Sequence, residues 1–254
     1  MSYFCSALGR LVDGIKINSV SREVRNGRTL WVKRRRRTAG LITAGANCFF
    51  RLSGQPVRAL QNLSWQRWEV DCFHSLHGAT FRAFADGNDG IAVDEVPGED
   101  LSRCLDRGAL NPRMTESAGR ELRRAHAWKC STFGAAWSHG DPHAGNFVYD
   151  PITDETRLID FEVMHDPALP ATERHAEDLL AFLQDMAGRL PRKQWLPSAQ
   201  AFLAGYARRE IIERLGEKLF VPGGLARVWW AVRTSYMSFG ELQSRMQTLR
   251  ESLE

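Results

Sequence analysis

The sequence predicts an α+β protein of two lobes. Residues 1–97 are expected to form a small antiparallel β-sheet with one helix, and residues 98–254 a mainly helical lobe. Three observations indicate this division. Strand-like segments flank Asn26-Gly27, a dipeptide that favours a tight hairpin turn. Apolar residues recur at helical spacing further along the chain, and Pro97-Gly98 separates a short apolar strand from the start of a helix.

The first predicted element is a β-hairpin in which Ser21–Val24 pairs with Thr29–Lys33. Apolar residues precede Lys33 and none follows it, which indicates that Lys33 belongs to the strand and not to the charged run after it. That run, Arg34–Arg37, is interpreted as a solvated edge. Contact of the run with anionic lipid or phosphorylated glycan stays open.

A helix is predicted next, because Ser64 provides a start signal and large apolar residues follow at helical spacing. These residues are Trp65, Trp68, Cys72, Phe73 and Leu76. Glu69 lies beside this stripe, where a glutamate most often faces solvent. Further along, Pro112–Lys129 is predicted to be a long helix with Pro at its start. Gly224–Glu254 is predicted to be helical, with aromatic residues that pack in the core.

Two short motifs carry the chemistry. His139-Gly-Asp141 is followed by Asn146, and Asp160-Phe-Glu162 comes after a predicted hairpin of Phe147–Tyr149 and Arg157–Ile159. Phosphoryl transfer needs a carboxylate that accepts the proton of the attacking hydroxyl, and an amide and a second carboxylate that hold magnesium on the phosphates. The two motifs supply these groups in that order. The alternative is an ordinary acidic turn beside a buried strand.

The sequence patterns of these motifs, HGDxHxxN and DFE, resemble those of the aminoglycoside phosphotransferase and choline kinase branch of the protein-kinase-like superfamily. A weaker similarity connects the arginine-rich N-terminal part with the lipopolysaccharide core sugar kinases. The resemblance implies a two-lobed protein-kinase-like fold. It also implies a kinase that uses ATP and Mg²⁺ to phosphorylate a hydroxyl group.

The resemblance assigns roles to residues of the N-lobe and the linker. Lys33 would contact the phosphates and belong to the catalytic set, with Glu69 paired behind it. The backbone of the linker at Asp94, Glu95 and Val96 would bind the adenine.

In the C-lobe, the resemblance makes Asp141 the catalytic base and Asn146 and Asp160 the metal ligands. Three further residues would support the loop around Asp141. They are His139, His143 and Asp178, the last of which would anchor the loop from a helix.

The sequence departs from the protein kinase pattern in three places. No GxGxxG precedes Lys33, Glu162 stands where DFG has glycine, and only a short segment without Ala-Pro-Glu joins Asp160 to the Asp178 helix. The missing peptide platform favours a small-molecule, sugar or glycolipid acceptor. The mixed charges of Val163–Glu177 suit a neutral or anionic compound better than a polycation. An atypical protein kinase and a non-catalytic nucleotide-binding pseudokinase scaffold are the alternatives.

The composition is that of an ordinary globular protein, with 43% hydrophobic and 25% charged residues. The net charge of +4 is too small to indicate nucleic-acid binding. Five cysteines without close pairs indicate reduced thiols and a cytoplasmic location. No apolar run approaches the roughly 20 residues of a membrane-spanning helix, and Met1–Arg10 lacks the basic start of a secretion signal. Peripheral membrane contact stays open.

Overall fold

The computed structural model describes residues 17–253. The expectations for residues 1–16, including the interpretation of Met1–Arg10, lie outside the described residues. The fold is α+β, with a small antiparallel sheet followed by a mainly helical part, which confirms the predicted class. None of the described helices is long and apolar enough to cross a bilayer.

The elements of the described chain are short in the first half and longer in the second. The strands are β1 (Asn18–Arg25), β2 (Arg28–Arg35), β3 (Val57–Ala59), β4 (Ala83–Ala85), β5 (Gly90–Asp94), β6 (Glu99–Asp100), β7 (Lys129–Cys130), β8 (Ala135–Ala136), β9 (Phe147–Asp150), β10 (Glu155–Leu158) and β11 (Val163–His165). The helices are α1 (Ala39–Leu52), α2 (Asn62–His77), α3 (Leu101–Asp106), α4 (Pro112–His126), α5 (Ala171–Arg189), α6 (Arg192–Tyr206), α7 (Arg209–Gly216), α8 (Gly224–Arg233) and α9 (Phe239–Glu251).

The N-terminal sheet contains β1, β2, β5 and β4 in that spatial order, and all its pairs are antiparallel. Asn26 and Gly27 form the predicted turn with φ values of 52° and 74°. Lys33 lies on β2 opposite Val20. Because side chains alternate along a strand, Lys33 faces away from the small buried cluster on the other side of the sheet. That cluster is Leu30, Val32 and Ala92.

Helix α1 lies between β2 and α2 and was not predicted. The Asn47 side chain fixes it to β3, since its Nδ2 donates to the carbonyl of Ala59 at 3.0 Å and its Oδ1 accepts the N–H of Ala59 at 2.7 Å. Phe50 is buried against Trp229 of α8, with ring centroids 5.1 Å apart. Helix α1 therefore joins the N-terminal part to the C-terminal helices.

A second connection between the two parts is the short sheet of β3 and β11. The strands are antiparallel, with Val57 opposite His165 and Ala59 opposite Val163. Strand β11 follows the Asp160 motif directly, so β3 lies against the segment that comes after the candidate metal ligand.

The buried core runs through both parts of the chain. One cluster includes Trp65 and Phe73 of α2, Leu122 of α4 and Phe182 of α5. The region after Gly224, predicted as helical, consists of the two helices α8 and α9. They are separated by a turn in which Ser235 and Tyr236 adopt positive φ values of 49° and 60°.

Candidate active site

Lys33 lies at the centre of a group of carboxylates. Its Nζ is 2.5 Å from Glu69 Oε1, 2.9 Å from Asp160 Oδ1 and 3.9 Å from Glu162 Oε1. Burial alone would lower the pKa of Lys33, but the three carboxylates, led by Asp160, raise it. Strand β2 and helix α2 thus bring a cation and an acid to the acidic motif that follows β10.

The environment perturbs Glu69 and Asp160 in opposite directions. Burial raises the pKa of Glu69 in spite of Lys33, and Trp65 Nε1 donates to Glu69 Oε2 at 2.6 Å. Burial also acts to raise the pKa of Asp160, but the ammonium of Lys33 outweighs it and the pKa is lowered. Asp160 has a φ of 66°, a conformation that costs energy for a residue with a side chain and is common at functional sites.

Glu162, which the sequence analysis treated as the replacement for a glycine, belongs to the same group. Burial, and then the neighbouring Asp160 carboxylate, raise its pKa to about 8. The side-chain amide of Asn18 donates to Glu162 Oε1. Oxygen atoms of Glu69, Asp160 and Glu162 lie within 4.8 Å of one another. Such a set of hard oxygen donors suits Mg²⁺, so Glu162 joins Asp160 as a candidate ligand.

The raised pKa of Glu162 is expected to make the stability of the protein depend on pH. The folded protein keeps this proton up to about pH 8, whereas the unfolded chain releases it near 4.5. The unfolded state then binds fewer protons, so the free energy of unfolding loses this contribution as the pH rises from about 4.5 to about 8. Glu162→Gln should remove this loss. In urea denaturation, the free energy of unfolding of the variant should therefore rise relative to that of the wild type as the pH increases across this interval. A difference that is constant with pH would contradict the assignment.

Asp141 lies on a loop that Asp178 of α5 holds in place. The buried Asp178 carboxylate accepts the N–H of His139 at 2.7 Å and the N–H of Gly140 at 2.8 Å. Gly140 has a φ of 91°, and a Cβ at this position would lie 3.0 Å from the carbonyl oxygen of Val163. The loop therefore requires glycine directly before Asp141.

His139, His143 and Asn146 organise the loop from within. Burial lowers the pKa of His139, whose Nδ1 accepts the N–H of Asp141 at 3.3 Å. His143 Nδ1 accepts the N–H of Gly145 at 3.1 Å. Asn146 Nδ2 donates to the backbone carbonyl of Asp141 at 2.9 Å, which leaves its amide oxygen as the group that can bind a metal.

Arg233 of α8 was missed by the sequence analysis and contacts Asp141 directly. Its Nη2 donates to Asp141 Oδ1 at 2.8 Å, and its guanidinium lies 4.7 Å from the centroid of the Trp229 ring. Its Nε has no hydrogen-bond partner among the described residues. The only signal in the sequence is an arginine among aromatic residues, and nothing local connects it with a loop more than 90 residues earlier.

Two of the three backbone N–H groups in the linker predicted to bind adenine form hydrogen bonds within the protein. The N–H of Asp94 donates to the carbonyl of Arg82 at 2.8 Å, and the N–H of Glu95 donates to the carbonyl of Thr29 at 3.1 Å. These two N–H groups are therefore already satisfied. Within residues 17–253, Val96 is the one of the three linker residues whose N–H has no such backbone bond, so the predicted contact with adenine stays a prediction for Val96.

Trp31 lies near this linker and was also missed. It stands two residues before Lys33 and pairs with Arg22 and Val93 in the sheet register, so it faces the same side as the lysine. Arg22 forms an ion pair with Glu95 at 2.8 Å. The indole offers an aromatic surface on which a nucleotide base can stack.

The run Arg34–Arg37 is only partly the solvated edge that was expected. Arg35 is 8% exposed, and its guanidinium lies 4.4 Å from the centroid of the Trp65 ring. Arg34 forms an ion pair with Asp86 at 2.6 Å. The interpretation is wrong for Arg35, because strand alternation places it on the face that carries the lysine. The last two arginines of the run are exposed.

Three charged residues of Val163–Glu177, the segment expected to face the acceptor, form contacts within the protein. Arg174 is 1% exposed, and its Nη2 donates to the carbonyl of Ala136 at 2.6 Å. Glu173 and Glu177 both pair with Lys218, at 2.9 Å and 2.8 Å. The expectation was wrong for Arg174, because α5 turns its side chain into the core. Glu173 and Glu177 are half-buried, and Glu177 also lines a cavity with Gly140 and Arg233.

No family model and no curated protein matches this chain. Among solved structures, it is similar to an ethanolamine kinase of Plasmodium vivax, with 12% identity and a TM-score of 0.45 over 99% of this chain and 87% of that chain. It is also similar to Rv3197 of Mycobacterium tuberculosis, solved in complex with erythromycin, with 18% identity and a TM-score of 0.42 over 79% of this chain and 57% of that chain. By its own architecture, in which an antiparallel sheet with a lysine–glutamate pair precedes a helical part with an HGD loop, the chain has the predicted protein-kinase-like fold.

Proposed function

We propose that this chain is an ATP-dependent phosphotransferase that moves the γ-phosphoryl group to a hydroxyl of a non-protein acceptor. The acceptor is a small molecule, a sugar or a lipopolysaccharide-type glycolipid. The observation that carries the proposal is the position of Lys33 between Glu69 and Asp160, at 2.5 Å and 2.9 Å. Phosphoryl transfer depends mainly on positioning and on charge stabilisation, and these residues provide both.

The charged group around Lys33 would hold the nucleotide phosphates. The ammonium binds phosphate oxygens while Glu69 fixes its position. Asp160, Glu162 and the amide oxygen of Asn146 would hold Mg²⁺, which when bound neutralises negative charge on the phosphates. Because Lys33 contacts Asp160 directly at 2.9 Å, the site is preformed and compact.

Asp141 orients the acceptor hydroxyl and accepts its proton. Arg233 engages Oδ1 of Asp141, so Oδ2 is the oxygen that meets the hydroxyl. The remaining guanidinium donors of Arg233 favour an acceptor with a phosphate or carboxylate near the reacting hydroxyl, because guanidinium groups bind such oxyanions through paired hydrogen bonds.

The strand after Asp160 supports a non-protein acceptor. All three residues of β11 pair with β3. Extended peptides bind by adding to a free strand edge, and β3 occupies one of the two edges of β11, so a peptide could not pair on that side.

Magnesium and nucleotide are expected to stabilise the protein together. Mg-ATP should raise the melting temperature well above ATP with a chelator, because a ligand that binds only the folded state stabilises it. Asp160→Asn should abolish this difference. Asparagine tolerates the positive φ of this position, so the variant should keep its fold. Differential scanning fluorimetry provides the measurement.

Asp166→Asn is the matched control, since Asp166 is exposed and accepts the N–H of Ala168 at 3.0 Å. The magnesium-dependent shift should persist in it. An unchanged shift in the Asp160 variant would remove Asp160 from the metal site. The acceptor itself is found by a screen with labelled ATP, in which sugars and phosphorylated glycans come first and aminoglycosides and choline serve as cationic comparisons.

A further inference from the structure

We infer that helices α1 and α8 dock this protein onto the surface of an anionic lipid bilayer. Helix α1 buries Ala39, Thr43 and Phe50. Its opposite face is exposed and carries Leu41, Ala44, Gly45, Cys48 and Leu52. Leu41 is 81% exposed and Leu52 63%. A helix that faces water normally has polar residues there, so this face indicates an apolar partner.

Helix α8 extends this apolar surface. The rings of Phe49 and Phe50 lie 6.2 Å and 5.1 Å from the ring of Trp229, so the two helices meet at this residue. Leu225 and Val228, which precede Trp229 by four residues and one, are 50% and 38% exposed. We call the exposed apolar residues of both helices, together with the arginines beside them, the α1–α8 surface.

The two chain segments that contain the α1–α8 surface hold no acidic residue. The 45 residues between Glu23 and Glu69 include ten Lys or Arg and no Asp or Glu. The 23 residues between Glu217 and Glu241 include three Lys or Arg and no Asp or Glu. With 30 acidic residues in a chain of 254, about eight would be expected in segments of this length. Six of these thirteen basic side chains pair with carboxylates of the fold, and the charge of the other seven is complementary to an anionic surface.

The arginines nearest α1 are placed to reach such a surface. Arg36 and Arg37 precede the helix, Arg51 lies in its last turn and Arg58 lies on β3, and all four are exposed. Apolar side chains flanked by arginines are the composition of helices that lie in the headgroup region of a membrane. Nucleic acid would leave the exposed leucines without an apolar partner, so a lipid surface fits both properties.

The α1–α8 surface adjoins the candidate active site. Arg233, which donates to Asp141, follows Trp229 by one helical turn on α8. Docking would therefore hold Asp141 near the headgroups, where the hydroxyl of a glycolipid could reach it. Only this statement about the acceptor rests on the proposed function, since docking itself does not require catalysis.

Vesicle sedimentation of the full chain tests the docking. We expect binding to equimolar phosphatidylcholine and phosphatidylglycerol, and none to phosphatidylcholine alone. Leu41→Ser with Leu52→Ser should reduce the partition coefficient about tenfold or more, because the apolar contact is lost. Arg36→Ser with Arg37→Ser should reduce it about 25-fold, since each arginine near an anionic surface contributes about fivefold.

Two variants outside the surface are the matched controls. Ile152→Ser changes an apolar residue that is 92% exposed in the turn between β9 and β10, and Arg209→Ser changes an arginine whose side chain is 92% exposed on α7. Both should bind like the wild type. Absence of wild-type binding to anionic vesicles, or full binding by the leucine variant, would overturn the inference. A third outcome is that the wild type does not bind vesicles but forms a dimer, and that the leucine variant is monomeric. This result would assign the surface to a second copy of the chain and refute docking to lipid.

Cys48 offers a second readout on the surface itself. It is exposed on the outer face of α1, whereas Cys72, Cys104 and Cys130 are buried. Cys5 lies outside the described residues, so the labelling experiment uses a variant in which Cys5 is replaced by serine and the dye reacts with Cys48. A polarity-sensitive dye on Cys48 should shift to shorter wavelength with anionic vesicles. Sedimentation without this shift would place the contact elsewhere and refute the assignment to α1. Because the melting experiment with Mg-ATP uses no vesicles, failure of docking and failure of the proposed function are distinguishable.

Discussion

Replacement of Asp141 by asparagine is expected to lower turnover by about 10²-fold or more, the effect of losing a positioned general base, with little change in ATP affinity. The asparagine amide oxygen can still accept the hydrogen bond that Arg233 donates to Oδ1 at 2.8 Å. The loop should therefore keep its conformation while the proton acceptor is lost. Phosphoryl transfer and ATP titration on the same preparation measure the two quantities.

Asp150→Asn provides the control for this variant. Asp150 lies at the end of β9, where its Oδ1 accepts the N–H of Ile152 at 2.9 Å, and asparagine can accept the same bond. This variant should transfer phosphate at the wild-type rate. Equal losses of rate and ATP affinity in Asp141→Asn would indicate that Asp141 has a structural role.

Lys33→Met is expected to abolish transfer, weaken ATP binding and destabilise the fold. Methionine fills similar space, but Glu69, Asp160 and Glu162 lose the cation among them. Removal of one partner from a buried ion pair costs about 3–5 kcal/mol. The cost should be larger at about pH 8 than at about pH 6, because carboxyl groups without a cation take up protons at the lower pH. Chemical denaturation at both pH values measures this difference.

A second substitution separates the two effects of Lys33→Met. Adding Glu69→Gln removes one unpaired carboxylate, so part of the stability should return while transfer stays lost. Lys129→Met, at an exposed lysine, should change the free energy of unfolding by less than about 0.5 kcal/mol. Recovery of transfer in the double variant would contradict the phosphate-binding role of Lys33.

Local patterns predicted much of the fold, and the family resemblance named most of the residues that the structure brings together in the candidate site. The Asn26-Gly27 turn acts over a few residues, so the pairing of Ser21–Val24 with Thr29–Lys33 was recognisable and is confirmed within β1 and β2. The spacing of large apolar residues similarly predicted the helix that carries Glu69, observed as Asn62–His77.

The remaining features depend on contacts between distant parts of the chain. Helix α1 contains Gly40 and Gly45 and turns an apolar face outward, so neither its helix propensity nor its pattern marks it as an amphipathic helix. Strands β3 and β11 have three residues each, too few for an alternating pattern to be recognised. Arg233 reaches Asp141 because α8 packs against α5 and α1, and no local pattern in the sequence indicates that packing.

Several contacts, among them the β3–β11 ladder, the Phe50–Trp229 ring contact and the shared buried core, limit how far the N-terminal and helical parts can move apart. Opening about the linker at Asp94–Val96 would have to break the β3–β11 ladder and pull Phe50 away from Trp229. Neither contact involves the linker residues, so both would resist such an opening in addition to the linker itself. Under the proposed function, nucleotide is expected to enter and leave through small local displacements, without the wide movement of one part against the other that a single flexible linker would allow.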